Sequence, residues 1–173
     1  IVSNMIMQVH DVCWEKNVLF GVSPDGNIEN NYNKVFADVK KWSSSDLYID
    51  FIMPQIYYGF YNETRAFKNV IDEWESIVSH EDVELRIALA FYKNGEFDRW
   101  AKSGSDEWLL NDDIIMREII LSRNLNRYQG FSLFRYDYIF NSDMYTKMTV
   151  KEIENIKKEE LNAKMPTDIE GHW

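Results

Sequence analysis

Ile49-Asp50-Phe51-Ile52-Met53-Pro54-Gln55-Ile56-Tyr57 decides the fold. It is a short β-rich run, apolar at most positions, which is how a strand covered on both faces reads. A polar stretch follows, and then a helical pattern over Ala66–His80. Working outward, the same succession recurs. Three more β-rich runs stand at Val18–Ser23, Val83–Phe91 and Gly130–Tyr136. Further helical patterns cover about Ser3–Glu15, Lys34–Trp42, Asp112–Leu125 and Thr149–Asn162. In Asp112–Leu125 the apolar Ile115 and Ile119 fall at helical spacing behind Asn111 and Asp112, both good N-cap residues. Thr149 with Glu152 three residues on has the capping-box pattern.

Strands alternating with helices predict right-handed βαβ units and a parallel sheet, so the expected class is α/β, a helix followed by four βα units. The loops after the strands are long and rich in Asn, Asp and Tyr: Pro24–Asn33, Tyr58–Arg65, Tyr92–Asn111 and Asp137–Met148. The loops before them are short. Ligands of parallel α/β folds bind at the carboxyl ends of the strands, so the site is expected among the long loops. Residues 1–165 read as one partial domain and Pro166–Trp173 as a loosely held tail.

The chain has 173 residues, 45% of them hydrophobic, enough for one packed core but short of the about 250 of many closed eight-stranded barrels. It opens with Ile1 rather than Met, inside an amphipathic helical pattern, as a fragment or a processed product would. The net charge of −10, with no offsetting Lys/Arg cluster, repels phosphates and excludes nucleic acid as a partner. No apolar run reaches the roughly 20 residues of a membrane-spanning helix. Cys13 is the single cysteine, which excludes an internal disulfide and a Cys-based zinc site. His10, His80 and His172 match no metal spacing, and there is neither a Gly-rich phosphate loop nor a nucleophile elbow. Neither a metal nor a cofactor is expected.

The four strands end in Phe20-Gly21-Val22-Ser23-Pro24-Asp25-Gly26-Asn27, Pro54-Gln55-Ile56-Tyr57-Tyr58, Ala90-Phe91-Tyr92-Lys93 and Leu133-Phe134-Arg135-Tyr136. In order and spacing these strings resemble strands five to eight of the bacterial barrel family called glycosyl-hydrolase-like family 10. The Ser-Pro, the Pro-Gln-Ile-Tyr and the Tyr-Lys carry most of the likeness, which runs from about Ile1 to Asn162. The resemblance implies the C-terminal half of a TIM-type (β/α)8 barrel, in a parent that hydrolyses glycan, with bacterial cell-wall glycan as the substrate class. It points to the cell envelope or the outside of the cell. It also implies that strands one to four, and with them the acid that many barrel glycosidases carry on strand four, belong to sequence outside this chain. A half-barrel with two raw sheet edges is expected to self-associate or to pair with the missing N-terminal half.

Residues two apart share a face of a strand. By that parity Gly21, Ser23 and Asp25; Met53, Gln55 and Tyr57; Ala88, Ala90 and Tyr92; and Ser132, Phe134 and Tyr136 line a cup, small below and polar or aromatic above. Aromatic faces suit the C–H faces of sugars, and amides and hydroxyls suit their hydroxyl groups. The expected poly- or oligosaccharide contacts are Ser23, Asn27, Gln55, Tyr57, Tyr58, Tyr92, Lys93, Arg135 and Tyr136. For Tyr57, Tyr92 and Tyr136, capping the core is an equally good reading. Glycosidic acid–base chemistry needs two carboxylates roughly 5–9.5 Å apart, and only Asp25 and Asp137 follow strand ends directly. Asp25 reads first as a turn former in Pro-Asp-Gly, and Asp137 reads equally as a loop cap. Glu96, Asp98, Asp106 and Glu107 read as solvated, and Trp100 and Trp108 as either a stacking wall or packing for the third loop. A half-barrel that keeps the stacking residues but lacks the acid would bind sugar without cleaving it.

Overall fold

The computed structural model describes residues 1–164 of the chain; the expected tail lies outside the described residues. Helix α1 (Val2–Glu15) opens the fold and leads into β1 (Gly21–Val22), helices α2 (Ile28–Val35) and α3 (Val39–Trp42), and the second run. That run is split into β2 (Phe51–Ile52) and β3 (Gln55–Ile56). The division falls beside Pro54, which has no N–H to donate to a ladder. Helix α4 (Phe67–Ile77), strand β4 (Glu84–Leu89), helices α5 (Glu107–Leu110) and α6 (Ile114–Ser122), strand β5 (Tyr128–Leu133), and helices α7 (Asp137–Phe140) and α8 (Lys147–Lys164) complete the order.

Every strand pairing is parallel, and the four runs lie side by side in chain order. The chain is an α/β fold built on a parallel sheet. Register places Gln55 beside Ala88 and Ala88 beside Ser132, with Asp25 bridging to Gln55. One cross-sheet row therefore holds Asp25, Gln55, Ala88 and Ser132 at its carboxyl end.

Ile52, Ile56, Leu85, Ile87 and Leu89 are fully buried. They share one core with Phe67, Val70, Ile71 and Trp74 of α4 and Ile114, Ile115 and Ile119 of α6. The Trp74 indole donates to Gly26 O at 2.9 Å, tying α4 to the turn after β1. A Cβ on Gly26 would sit 2.5 Å from Gln55 O, so that close approach requires glycine.

The expectation of two covered faces is corrected. Phe51, Met53, Gln55 and Tyr57 are only half-buried, and Arg86 lies over the Phe51 ring at 4.0 Å while paired to Glu84 at 2.6 Å. The helices cover the isoleucine–leucine face; the alternate face meets solvent through polar and aromatic groups.

Two helix readings also shift. The stretch read as loop before Lys34 is mostly α2, and Lys34–Trp42 is not one helix. Asn27 caps α2 by accepting from Glu29 N (3.0 Å) and Asn30 N (3.2 Å), and Asn31 donates to Asp25 O at 2.7 Å. Phe36 then turns left-handed (φ 56°), and Asp38 caps α3. Caps and a buried asparagine outweigh the low helix propensity of this Asn-rich segment.

Around α8 the box begins three residues earlier than the sequence suggests. Thr146 Oγ1 accepts from Thr149 N at 3.0 Å, and Thr149 Oγ1 from Thr146 N at 3.3 Å. Glu152 is buried instead and accepts from Met116 N in the first turn of α6 at 2.5 Å.

Candidate functional site

At the carboxyl end of the sheet, aromatic rings from three strand ends meet. Tyr57 stacks on Phe134 at 5.5 Å and meets Tyr92 edge-on at 5.9 Å. Tyr92 also packs edge-on against Phe134 (5.9 Å) and Tyr138 of α7 (6.3 Å). Such edge-to-face and offset pairs are the favoured aromatic geometries. Burial, with the neighbouring Tyr92 second, pushes the Tyr57 phenol up to about 12, so it stays a neutral hydrogen-bonding group at physiological pH. Burial likewise raises Tyr92.

Lys93, at the start of the third loop, ties that loop to the cluster. Its Nζ donates to Tyr57 O at 2.8 Å and pairs with Asp98 Oδ2 at 2.6 Å. Asp98 Oδ1 accepts from Trp100 N at 3.1 Å. The Asp98 side chain is only 3% exposed, so the expectation of a solvated carboxylate is corrected. Glu107 is corrected too: it is buried and accepts from Phe60 N and Tyr61 N, both at 2.9 Å. Glu96 and Asp106 do face solvent. The two tryptophans of this loop part company: Trp108 is buried, while Trp100 is 76% exposed. Tyr92, Lys93, Asp98, Trp100 and Tyr138 line a cavity of about 380 Å³.

The remaining candidates fall around this cavity or away from it. Gln55 Nε2 donates to Ser23 O at 3.1 Å and lies 3.5 Å from Ser23 Oγ, so those two form a polar step beside the aromatic cluster. Asp25 Oδ1 accepts from Asn27 N at 2.6 Å, an Asx turn, and its backbone is held by Asn31. Asn27 has its carboxamide oxygen committed to capping α2. Tyr58 is half-buried against Gly26, and burial followed by Asp25 raises its phenol.

Arg135 pairs with Asp137 at 3.2 Å, and its guanidinium lies 5.7 Å from the Tyr138 ring. Tyr136 lies beyond β5, 70% exposed, packed against Phe140 at 4.7 Å. Strand parity therefore does not reach Tyr136: the chain has already turned into α7. The sequence missed Tyr138, which a helix rather than a strand delivers, and Asp98, for which no spacing rule exists. It also missed a grouping at the opposite end of the sheet, where Asp46, His80 and Asp82 approach one another. The spacing test for a metal fails there because these residues come from two loops.

The glycosyl hydrolase-like 10 family model matches residues 2–103, more than half of the chain and three of its four strand runs. The chain belongs to the glycosyl hydrolase-like 10 family. Among curated relatives, glycosyl hydrolase DigH of Escherichia coli O6:H1 is 29% identical over 138 residues, covering 70% of this chain and 30% of the relative. Glycosyl hydrolase YngK of Bacillus subtilis is 32% identical over 130 residues, covering 65% of this chain and 24% of the relative. The chain thus spans less than a third of the length of these relatives. In this glycosyl hydrolase-like 10 chain the matched part contains Ser23, Gln55, Tyr57, Tyr92, Lys93, Asp98 and Trp100. Phe134, Arg135, Tyr136 and Tyr138 lie beyond it.

Proposed function

We propose that this chain is the C-terminal half of a (β/α)8-barrel glycoside hydrolase whose parent cleaves a polysaccharide, with bacterial cell-wall glycan as the substrate class. The aromatic cluster of Tyr57, Tyr92, Phe134 and Tyr138 beside the Lys93–Asp98 cavity carries the reading. Exposed Trp100 gives a flat face for a sugar ring, and the Gln55–Ser23 step offers an amide and a hydroxyl at one end. Four parallel runs in chain order, with a half-open polar and aromatic face, support a barrel cut in two.

Binding without cleavage by the chain alone is favoured by the state of its acids. Asp25 is held in a turn, Asp137 is paired with Arg135, and Asp98 is paired with Lys93. Each is thus committed to a turn or to a cation, whereas acid–base glycoside cleavage uses two carboxylates that face one bond. The test uses soluble cell-wall glycan fragments with the 173-residue chain and its variants. Tyr57→Ala, Gln55→Ala and Trp100→Ala are expected to weaken binding at least fivefold while the last two leave stability within about 1 kcal/mol. The chain is expected to release no reducing ends. Glycan affinity unchanged in all three variants would move the site elsewhere. Turnover abolished by Asp25→Asn or Asp137→Asn would make that residue catalytic.

The half-barrel reading also predicts association. The edge along Val18–Val22 leaves Val18 (56% exposed) and Leu19 (62%) bare, and Met5, Val9 and Val12 form an exposed apolar stripe along α1. Burial is worth roughly 25 cal/mol per Å² of apolar surface, and sheet edges invite pairing. Sedimentation at micromolar concentration should show self-association, relieved by adding a separately expressed N-terminal half. A single species of 20.7 kDa that binds no apolar dye would contradict this.

A further inference from the structure

The amino ends of the strands, opposite the aromatic cluster, carry a second constellation. β2 and β4 are paired neighbours, Phe51 beside Glu84, so the loops that lead into them lie side by side. One loop supplies Asp46 and the other His80 and Asp82. One ligand atom from each of the three lies within 4.8 Å of the other two. His80 Nε2 is 4.0 Å from Asp46 Oδ1, and its Nδ1 is 3.8 Å from Asp82 Oδ2. Both are loose ion-pair contacts, and His80 Nδ1 also accepts from Asp82 N at 3.3 Å. Bonds of about 2.0–2.2 Å to one shared cation would use one ring nitrogen and need the exposed Asp46 and Asp82 side chains to rotate toward it.

A separate observation points into the same place. Asp46 and Asp82, though not His80, line a cavity of about 490 Å³ together with His10, Asp11 and Asp50. His10 is 7% exposed and is ion-paired at 3.6 Å with Asp50 Oδ1. Asp50 spends its other oxygen on Phe20 N at 2.6 Å. That cavity is lined by four aspartates and by neither Lys nor Arg. The summed field concentrates cations there.

We propose that Asp46, His80 and Asp82 bind a divalent transition-metal ion, Zn²⁺ being the best match to one imidazole and two carboxylates, with water completing the shell. Mixed nitrogen and oxygen donors suit Zn²⁺ and its neighbours rather than Mg²⁺ or Ca²⁺. The ion lies at the closed end of the sheet, away from the sugar cavity. It cross-links the loops that precede β2 and β4 and stabilises the strand ends, and it takes no part in glycan chemistry.

Equilibrium dialysis of the 173-residue chain against ZnCl₂ alone, with thermal melts alongside, tests this. One Zn²⁺ per chain at micromolar free metal, with a raised melting temperature, is the expected result. His80→Gln and the Asp46→Asn/Asp82→Asn double variant, all at solvent-accessible positions, should each weaken binding at least tenfold and remove the thermal shift. Co²⁺ in place of Zn²⁺ should give a visible d–d band that His80→Gln abolishes. No saturable uptake, or uptake unchanged in both variants, overturns the proposal. Uptake lost in His10→Gln but retained in His80→Gln also overturns it, by moving the ion to the deeper wall.

Discussion

Raising the pH from about 5 to about 9 should destabilise the chain by roughly 4 kcal/mol, and the glutamates buried between α6 and α8 should account for most of it. Glu118 and Glu152 are both fully buried. Neither oxygen of Glu118 has a hydrogen-bond partner, and Glu152 Oε2 has none either. Burial, with Asp113 and Asp112 adding to it, pushes the Glu152 carboxyl from an ordinary 4.5 up to about 8, against the opposing pull of the Met116 N–H. Burial first, then the charges of Glu152 and Glu107, raises Glu118 well above its ordinary value, with Lys93 and Arg117 acting the other way.

A carboxyl that binds its proton more tightly when folded contributes stability that is complete below the unfolded pKa. That stability is lost as pH rises through the folded one. For Glu152 the window runs from about 4.5 to about 8, near 1.4 kcal/mol per unit. Urea melts at pH 5 and pH 9 measure the difference. Glu152→Gln and Glu118→Gln should each flatten the pH profile, because a neutral amide has no proton to lose. A stability that is level across that range, or a slope unchanged in both variants, would show that these side chains are solvated.

Lys93→Met should cost about 3 kcal/mol, because it leaves Asp98 charged in a site with 3% exposure. Lys93 itself is only 15% exposed, and its other hydrogen bond holds the Tyr57 carbonyl. The same substitution should therefore lower glycan affinity by letting the aromatic cluster shift. Asp98→Asn should also cost stability, since its single amide oxygen can replace only one of the two carboxylate oxygens that accept from Lys93 and from Trp100 N. The double variant Lys93→Met/Asp98→Leu should recover much of the loss, since replacing both partners removes the unpaired charge. A double-mutant cycle in urea gives the coupling directly. A coupling below about 0.5 kcal/mol would mean that water reaches the pair and that the cavity is not organised by it.

What the residues alone determined is set by local rules. The β-rich run Ile49–Tyr57, the helical spacing of Ile115 and Ile119, and the alternation of strand and helix followed from periodicity and propensity, which act over a few residues. Parity along single strands likewise put Gln55 and Tyr57 on one face, because side-chain direction in a strand has period two.

Long-range contacts decided the rest. Asn27-Ile28-Glu29-Asn30 is a helix start because Asn31 reaches back to Asp25, and Phe36 ends it by turning left-handed. Asp98 is an organising charge because the third loop folds it onto Lys93, five residues away with no periodic relation. Tyr138 enters the site from α7 once the chain has left β5. Asp46 and His80 stand 34 positions apart in sequence and meet because β2 and β4 are neighbours in the sheet. Burial and charge pairing depend on the summed surroundings of a side chain, and only the packed chain supplies those surroundings.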